Sequence, residues 1–118
     1  MGNPLVHWEI MVSDMAKAKT FYSTVFDWQI AETPMPGYFM ANPGTPPAGG
    51  MMVAPESAPE HTFHIYFGVE DFDATLAKAV AAGATTVAPK MQIPGVGSWA
   101  MFADPDGVII GIFQQLAA

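Results

Sequence analysis

The chain has 118 residues and contains neither cysteine nor arginine. Without cysteine it forms no disulfide, thiolate zinc site, iron–sulfur cluster or cysteine nucleophile. Without arginine it lacks the side chain that clamps a carboxylate or phosphate through two parallel hydrogen bonds. We therefore expect its small-molecule ligand to be mainly apolar or aromatic, or weakly polar.

Positive charge is scarce as well. Four lysines stand against 11 acidic residues, which gives a net charge of −7. Binding to nucleic acid or to an anionic membrane surface needs several cations on one face, so we predict neither partner. All apolar runs fall short of the roughly 18–20 residues that span a bilayer. The first residues lack the basic and apolar segments of a signal peptide, so we expect a cytoplasmic protein.

Apolar residues are abundant, at 51% of the chain, and charged residues make up 13%. This composition is typical of a globular protein, and the length suits one domain, residues 1–118, with its own core. Nine methionines add flexible, polarisable side chains. They suit either an adaptable binding surface or ordinary core packing.

The most informative pattern is a stretch that occurs twice. An apolar residue, a histidine, a valine five residues after it and an aspartate seven residues after it recur in Val6–Asp14 and Phe63–Asp71. The two histidines, His7 and His64, are 57 residues apart, and so are the two aspartates. A repeat spacing close to half of the chain indicates two similar half-units.

Alternating apolar and polar residues, helix-capping residues and turns rich in proline and glycine divide each half-unit into a strand, a helix and three further strands. The first half-unit, 5–55, is predicted to contain strands at 5–12, 28–32, 38–41 and 51–54 and a helix at 16–26. The second, 61–116, is predicted to contain strands at 62–69, 85–88, 98–103 and 108–115 and a helix at 72–82. We therefore predict an α+β fold with a tandem βαβββ repeat.

The first strand presents two different faces. Its even-numbered residues from Val6 to Val12 are uniformly apolar and should pack against a helix. His7, Glu9 and Met11 alternate with them, so they lie on the opposite face and should line a site.

This repeat resembles the vicinal oxygen chelate superfamily, which includes glyoxalase I, extradiol dioxygenases, fosfomycin-resistance proteins and bleomycin-binding proteins. The resemblance covers nearly the whole chain. It rests on the two histidine-to-aspartate stretches, on Phe21-Tyr22-x-x-Val25-Phe26-x-Trp28, on Ala81-Ala82-Gly83-Ala84 and on Phe102-Ala103-Asp104-Pro105-Asp106-Gly107. It implies that the two half-sheets curl into a cupped, barrel-like cavity with the helices outside, and that the protein is a homodimer.

In this family a divalent metal sits in the cup, held by one side chain from the first and one from the last strand of each half. His7 and His64 fall on the two first-strand positions. The resemblance puts the last-strand position at Met51 or Met52 in the first half and at Gly111 in the second. Both expected carboxylates are therefore missing, and two histidines alone would hold a metal weakly.

The two histidines have two interpretations. In one they bind Zn, Ni, Mn or Fe, with Glu9 as a displaced carboxylate about 6.5 Å from His7 along the same strand face. In the other they are hydrogen-bonded polar residues that line the cavity. Tyr66 shares the face of His64 and is a candidate proton carrier or a packed core residue. The candidate ligand-binding residues, with core packing as the alternative, are Met11, Met52, Trp99, Met101 and Phe113.

Three further polar groups have structural interpretations. His61 precedes His64 by an odd number of residues, so the two rings lie on opposite strand faces and His61 should be exposed at the strand entrance. Glu70-Asp71 is typical of helix capping, and Asp104 with Asp106 is typical of a turn.

Two functions of different class are consistent with these residues. One is a glyoxalase- or bleomycin-resistance-like protein that binds a small, largely apolar molecule in the cup. The other is a metal-dependent lyase, isomerase or dioxygenase with His7 and His64 on the metal and with Tyr66 and Glu9 as candidate catalytic residues. The missing carboxylates favour the first, and the paired histidines keep the second open.

Overall fold

The computed structural model describes residues 2–55 and 63–116. They form β1 (Leu5–Val12), α1 (Met15–Phe26), β2 (Gln29–Glu32), β3 (Phe39–Asn42), β4 (Gly49–Val53), β5 (Phe63–Gly68), α2 (Phe72–Ala81), β6 (Thr85–Ile93), β7 (Gly97–Ala103) and β8 (Ile109–Gln115). The order is βαβββ twice, which confirms the predicted α+β fold and its tandem repeat.

The described chain divides into two compact units. The first unit contains the described residues from His7 to His64, and the second contains those before His7 and after His64. In the first unit β1 pairs in parallel with β4, and β4, β3 and β2 follow as antiparallel neighbours. In the second, β5 pairs in parallel with β8, and β8, β7 and β6 are antiparallel neighbours. Both units therefore repeat one pairing pattern.

The buried apolar residues of each unit include members of its helix, so the helix covers one face of the sheet. In the first unit they are Trp8, Ala18, Ile30, Ala41 and Met51. In the second, one cluster consists of Val69, Phe72, Ala100, Phe102 and Ile112, and Tyr66 and Met101 are buried as well.

Trp8 ties β1 to its surroundings in the first unit. It is buried and lies opposite Gly49, where a Cβ would overlap the indole ring. Its Nε1–H donates to the Pro47 carbonyl at 3.0 Å. Its ring lies 4.9 Å from that of Trp28, which stacks on Tyr22 of α1 at 5.3 Å. Because Trp8 packs toward the helix side, its neighbours in β1 point to the opposite face.

The acidic residues at both helix starts and at the last turn have the structural roles expected of them. Asp14 accepts from the Lys17 amide and Asp71 from the Ala74 amide, each at 3.1 Å, so both are N-caps. Asp104 accepts from two amides of the turn that follows it, at 2.8 and 3.0 Å. These carboxylates are therefore committed to holding backbone amides.

Two strands extend beyond their predicted ends. β4 begins at Gly49 rather than at Met51, because two glycines that the sequence assigns to a loop pair with β1. β6 continues through Pro89, which the sequence predicts as its end. Among the described strands β6 pairs only with β7, and shifts in register flank the proline. An irregular edge strand tolerates proline because no second neighbour needs its amide.

Neither helix in the described part of the chain has the length and apolar character that a membrane span requires. His61, predicted to lie at a strand entrance, falls outside the described residues.

The register of β4 makes a stability prediction about two adjacent methionines. Met51 is fully buried and faces the helix side, whereas Met52 is half-buried and faces the other side. We expect Met51→Ala to lower the free energy of unfolding by about 2–5 kcal/mol and Met52→Ala to cost clearly less. Urea denaturation of both variants measures the difference. Equal costs would contradict this register, because a slip of one residue exchanges the two faces.

Candidate functional site

The face of the first unit opposite Trp8 carries most of the sequence-predicted residues of the first half. On β1 it presents His7, Glu9 and Met11. The pairing register adds Gly50 opposite Glu9, Met52 opposite Met11 and Met40 opposite Gly50. Tyr38 alternates with Met40 and shares this side. We call this surface, made of His7, Glu9, Met11, Tyr38, Met40, Gly50 and Met52, the site face.

Three side chains of the site face form a hydrogen-bonded chain. The Tyr38 hydroxyl donates to Glu9 Oε2 at 2.8 Å, and His7 Nε2 lies 2.8 Å from the same hydroxyl oxygen. His7 Nε2 and Glu9 Oε2 are 3.6 Å apart. A hydroxyl has a single hydrogen, so Tyr38 can accept from His7 only if His7 Nε2 carries a proton. The Tyr38 hydroxyl therefore bridges the side chains of His7 and Glu9.

This polar chain remains accessible. The side chains of His7 and Glu9 are 25% and 15% exposed, and Met11, Met40 and Met52 are half-buried around them. A separate surface cleft of about 470 Å³ opens beside α1, lined among others by Ile10, Val12, Phe21 and Tyr22. Of the site-face residues, Met11 lines it.

Tyr38 is the site residue that the sequence analysis missed. A turn positions it: the Thr33 hydroxyl donates to the Tyr38 carbonyl at 2.8 Å, and the Tyr38 amide donates to the Met35 carbonyl at 3.2 Å. Two signals pointed toward it. Tyr38 alternates with Met40, and a glycine inside a strand, here Gly50, marks the close approach of another group.

Gly50 is the residue that Tyr38 approaches. A Cβ at Gly50 would overlap the Tyr38 hydroxyl. Gly111 has the same relation to a tyrosine in the second unit, because a Cβ there would overlap the Tyr66 ring. Each unit thus places a tyrosine over a glycine of its last strand.

The register also corrects the predicted last-strand ligand position of the first half. Glu9 and Tyr66 are 57 residues apart and so occupy equivalent positions of the repeat. Glu9 pairs with Gly50, and Tyr66 pairs with Gly111. The equivalent of Gly111 is therefore Gly50, and the prediction of Met51 or Met52 is wrong. Its cause is the strand start placed two residues too late.

The second unit gathers the other predicted ligand-binding residues. The register puts Tyr66, Met101, Trp99 and Phe113 on one face, through Tyr66–Gly111, Met101–Gly111 and Trp99–Phe113 pairs. Tyr66 is only 5% exposed, with its hydroxyl 4.0 Å from Met101 Sδ and its ring edge-on to Trp99 at 6.4 Å. Tyr66 is thus a buried member of this face, and its role as a proton carrier stays a prediction.

The donors on these faces do not match the metal site that the family resemblance implies. Both last-strand positions are glycines, which offer no side-chain ligand. The Tyr38 hydroxyl lies 2.8 Å from His7 Nε2 and hydrogen-bonds that nitrogen. His64 lies on β5, and its Nδ1 is buried without a hydrogen-bond partner among the described residues. Within 2–55 and 63–116, no group of three or more His, Cys, Asp or Glu residues is arranged to hold a metal.

The packing of Tyr38 over Gly50 predicts an energetic coupling. We expect Gly50→Ala to lower the free energy of unfolding by about 1–3 kcal/mol, because the new methyl group competes with Tyr38 for one space. In a Tyr38→Ala background the same change should cost less by at least about 1 kcal/mol. Denaturation of the four proteins measures this cycle. Gly111→Ala, whose methyl would meet Tyr66, is the control and should add independently to Tyr38→Ala.

Comparison with known proteins places this architecture in a family. The family model described as Glyoxalase/Bleomycin resistance protein/Dioxygenase superfamily matches residues 5–112. The glyoxylase-like protein CFP32 of Mycobacterium tuberculosis and the protein of the same name of Mycobacterium bovis are each 39% identical over 77 residues, 65% of this chain. The chain spans about 30% of the length of these relatives.

Solved structures agree in fold. Methylmalonyl-CoA epimerase from Mycobacterium tuberculosis superposes with a TM-score of 0.74 at 18% identity, over 97% of this chain and 89% of that one. The Mn(II)-bound glyoxalase from Novosphingobium aromaticivorans gives a TM-score of 0.69 at 18% identity, over 98% of this chain and 40% of that one. With the βαβββ repeat, the family match shows that this chain belongs to the glyoxalase/bleomycin resistance protein/dioxygenase superfamily, the vicinal oxygen chelate group.

Proposed function

We propose that this protein binds a small, largely apolar molecule on the site face. The observation that carries the proposal is the His7–Tyr38–Glu9 chain, an accessible polar group on a surface that otherwise offers methionine side chains. A few convergent polar groups on an apolar lining are typical of ligand sites. Methionine adapts its shape to a ligand, so Met11, Met40 and Met52 suit a hydrophobic body next to the polar group.

Methionine methyl groups provide the test. We expect aromatic fragments such as benzyl alcohol, titrated into protein labelled with ¹³C at the methionine methyls, to shift the signals of Met11, Met40 and Met52 together and saturably. Direct contact and ring currents both act on methyls that line the site. Two-dimensional NMR of the wild type and of single Met→Leu variants assigns the signals.

Met51 is the internal control for this titration. It lies next to Met52 in β4 but faces the helix side and is fully buried. Its signal should stay nearly constant while that of Met52 moves. A panel of fragments that leaves all three site-face signals unchanged, or that moves Met51 as much as Met52, would overturn the proposal.

The alternative is a metal-dependent lyase, isomerase or dioxygenase that uses His7 and His64. The Mn(II)-bound glyoxalase among the structural neighbours gives it a precedent in this fold. The glycines at both last-strand positions and the hydrogen bond between His7 Nε2 and the Tyr38 hydroxyl weigh against it. Metal analysis of protein purified without a histidine tag separates the two functions. Stoichiometric Zn, Ni, Mn or Fe that disappears in His7→Ala would favour the enzyme.

We also propose that the protein acts as a homodimer in the cytoplasm. Phe21, Val25 and Phe26 of α1 are each more than half exposed, and neighbouring apolar side chains of this kind mark interaction surfaces. Sedimentation velocity should give a dimer at micromolar concentration, and Phe26→Glu should weaken it because a charge then enters the apolar surface. A wild-type monomer would contradict the dimer.

A further inference from the structure

Three of the nine methionines share the site face. Met11 of β1 and Met52 of β4 are direct partners in the parallel pairing of these strands. Neighbouring strands lie about 4.8 Å apart, so the two thioether side chains leave the sheet side by side. Met40 of β3 pairs with Gly50, which lies two residues before Met52 on the same face of β4. Met40 is therefore a diagonal neighbour of Met52, at about 7–8 Å.

The length and flexibility of methionine allow these three sulfurs to converge. The side chain is unbranched and has three rotatable bonds, so its sulfur reaches well beyond its own Cβ. All three are half-buried, which leaves them within reach of an ion. Met51 is fully buried and points to the helix side, so the alternation of β4 keeps its sulfur apart from the group. The site face thus presents three thioether ligands in one region.

We propose that the site face binds one soft monovalent cation of the Cu(I) type through the thioether sulfurs of Met11, Met40 and Met52. Soft, polarisable sulfur ligands select Cu(I), whereas harder cations prefer carboxylate, carbonyl or water oxygens. A thioether carries no proton that the metal must displace, unlike a cysteine thiol or a protonated histidine. The net charge of −7 attracts a cation to the protein rather than an anion.

This thioether site differs from the divalent metal site that the family resemblance implies. That site would combine His7 and His64 with two carboxylates, and glycines stand at both last-strand positions. The thioether site needs neither an imidazole nor a carboxylate. The proposal also goes beyond the proposed function. It uses the same face but requires no organic ligand, so a failed fragment titration would leave it standing.

Silver titration followed by methionine NMR tests the proposal, because Ag⁺ is a soft monovalent cation that is stable in air. We expect Ag⁺, added to tag-free protein in chloride-free buffer, to shift the ¹³C methyl signals of Met11, Met40 and Met52 together and to saturate at one equivalent. The signal of Met51 should stay nearly constant. Zn²⁺ at the same concentration should shift the three signals far less. Cu⁺ delivered from bicinchoninate under nitrogen should reproduce the Ag⁺ pattern.

Two double variants locate the ion. Met11→Leu/Met52→Leu removes two sulfurs with little change in volume or hydrophobicity, so the fold should be retained. We expect calorimetry to show Ag⁺ binding at least about tenfold weaker, since loss of even an outer-shell partner of a metal site costs that much. Met35→Leu/Met91→Leu removes two thioethers that are each 48% exposed. It is the matched control and should bind Ag⁺ like the wild type.

Three results would overturn the proposal. One is unchanged Ag⁺ affinity in Met11→Leu/Met52→Leu. Another is a pair of Met35 and Met91 methyl shifts as large as those of the site face, because Ag⁺ would then bind any accessible thioether. The third is binding that is lost in His7→Ala and kept in Met11→Leu/Met52→Leu, which would put the ion on the imidazole. If the double variant does not fold, by circular dichroism, the wild-type methyl shifts decide alone.

Discussion

Two consecutive glycines on β4 let aromatic side chains approach one strand from opposite faces. Gly49 leaves room for the indole of Trp8, and Gly50 leaves room for the hydroxyl of Tyr38. Successive side chains of a strand point to opposite sides, so the pair serves the helix side and the site face in turn. Trp8 fixes β1 from the helix side. Its neighbours His7 and Glu9 therefore point to the site face, where they meet the Tyr38 hydroxyl. The arrangement of the first unit's site thus depends on two absent Cβ atoms.

The second unit meets the same steric constraint with a different tyrosine. Gly111, on its last strand, lies beneath Tyr66 of the first strand of that unit, whereas Tyr38 reaches Gly50 from the position just before β3. The environments of the two hydroxyls differ. Tyr38 sits in a polar chain with an imidazole and a carboxylate, while Tyr66 is buried and its hydroxyl lies 4.0 Å from a thioether sulfur. Both units therefore pack a tyrosine against a glycine of the last strand.

The sequence predicted most of the fold and part of the site, for identifiable reasons. The alternation of apolar and polar residues, the helix-capping residues and the 57-residue spacing are local or periodic signals. They were sufficient to predict the βαβββ repeat. The hydrogen bonds of Tyr38 join residues 29 and 31 positions apart, and they depend on a strand register that alternation does not set. The glycine pair of β4 looked like a loop because glycine is rare inside strands. That misplaced strand start shifted the last-strand position from Gly50 to its neighbours.

The overlap between Tyr38 and any side chain at position 50 bears on how such a chain can diverge. A carboxylate side chain does not fit at position 50 while Tyr38 is present, and loss of Tyr38 alone leaves a void and removes the hydroxyl that His7 and Glu9 share. Each single replacement is therefore expected to lower stability more than the paired change, so we expect the two positions to change together. In a lineage of related chains, a tyrosine at one position should accompany a glycine at the other. The residues at positions 38 and 50 would then together distinguish two groups of related sequences.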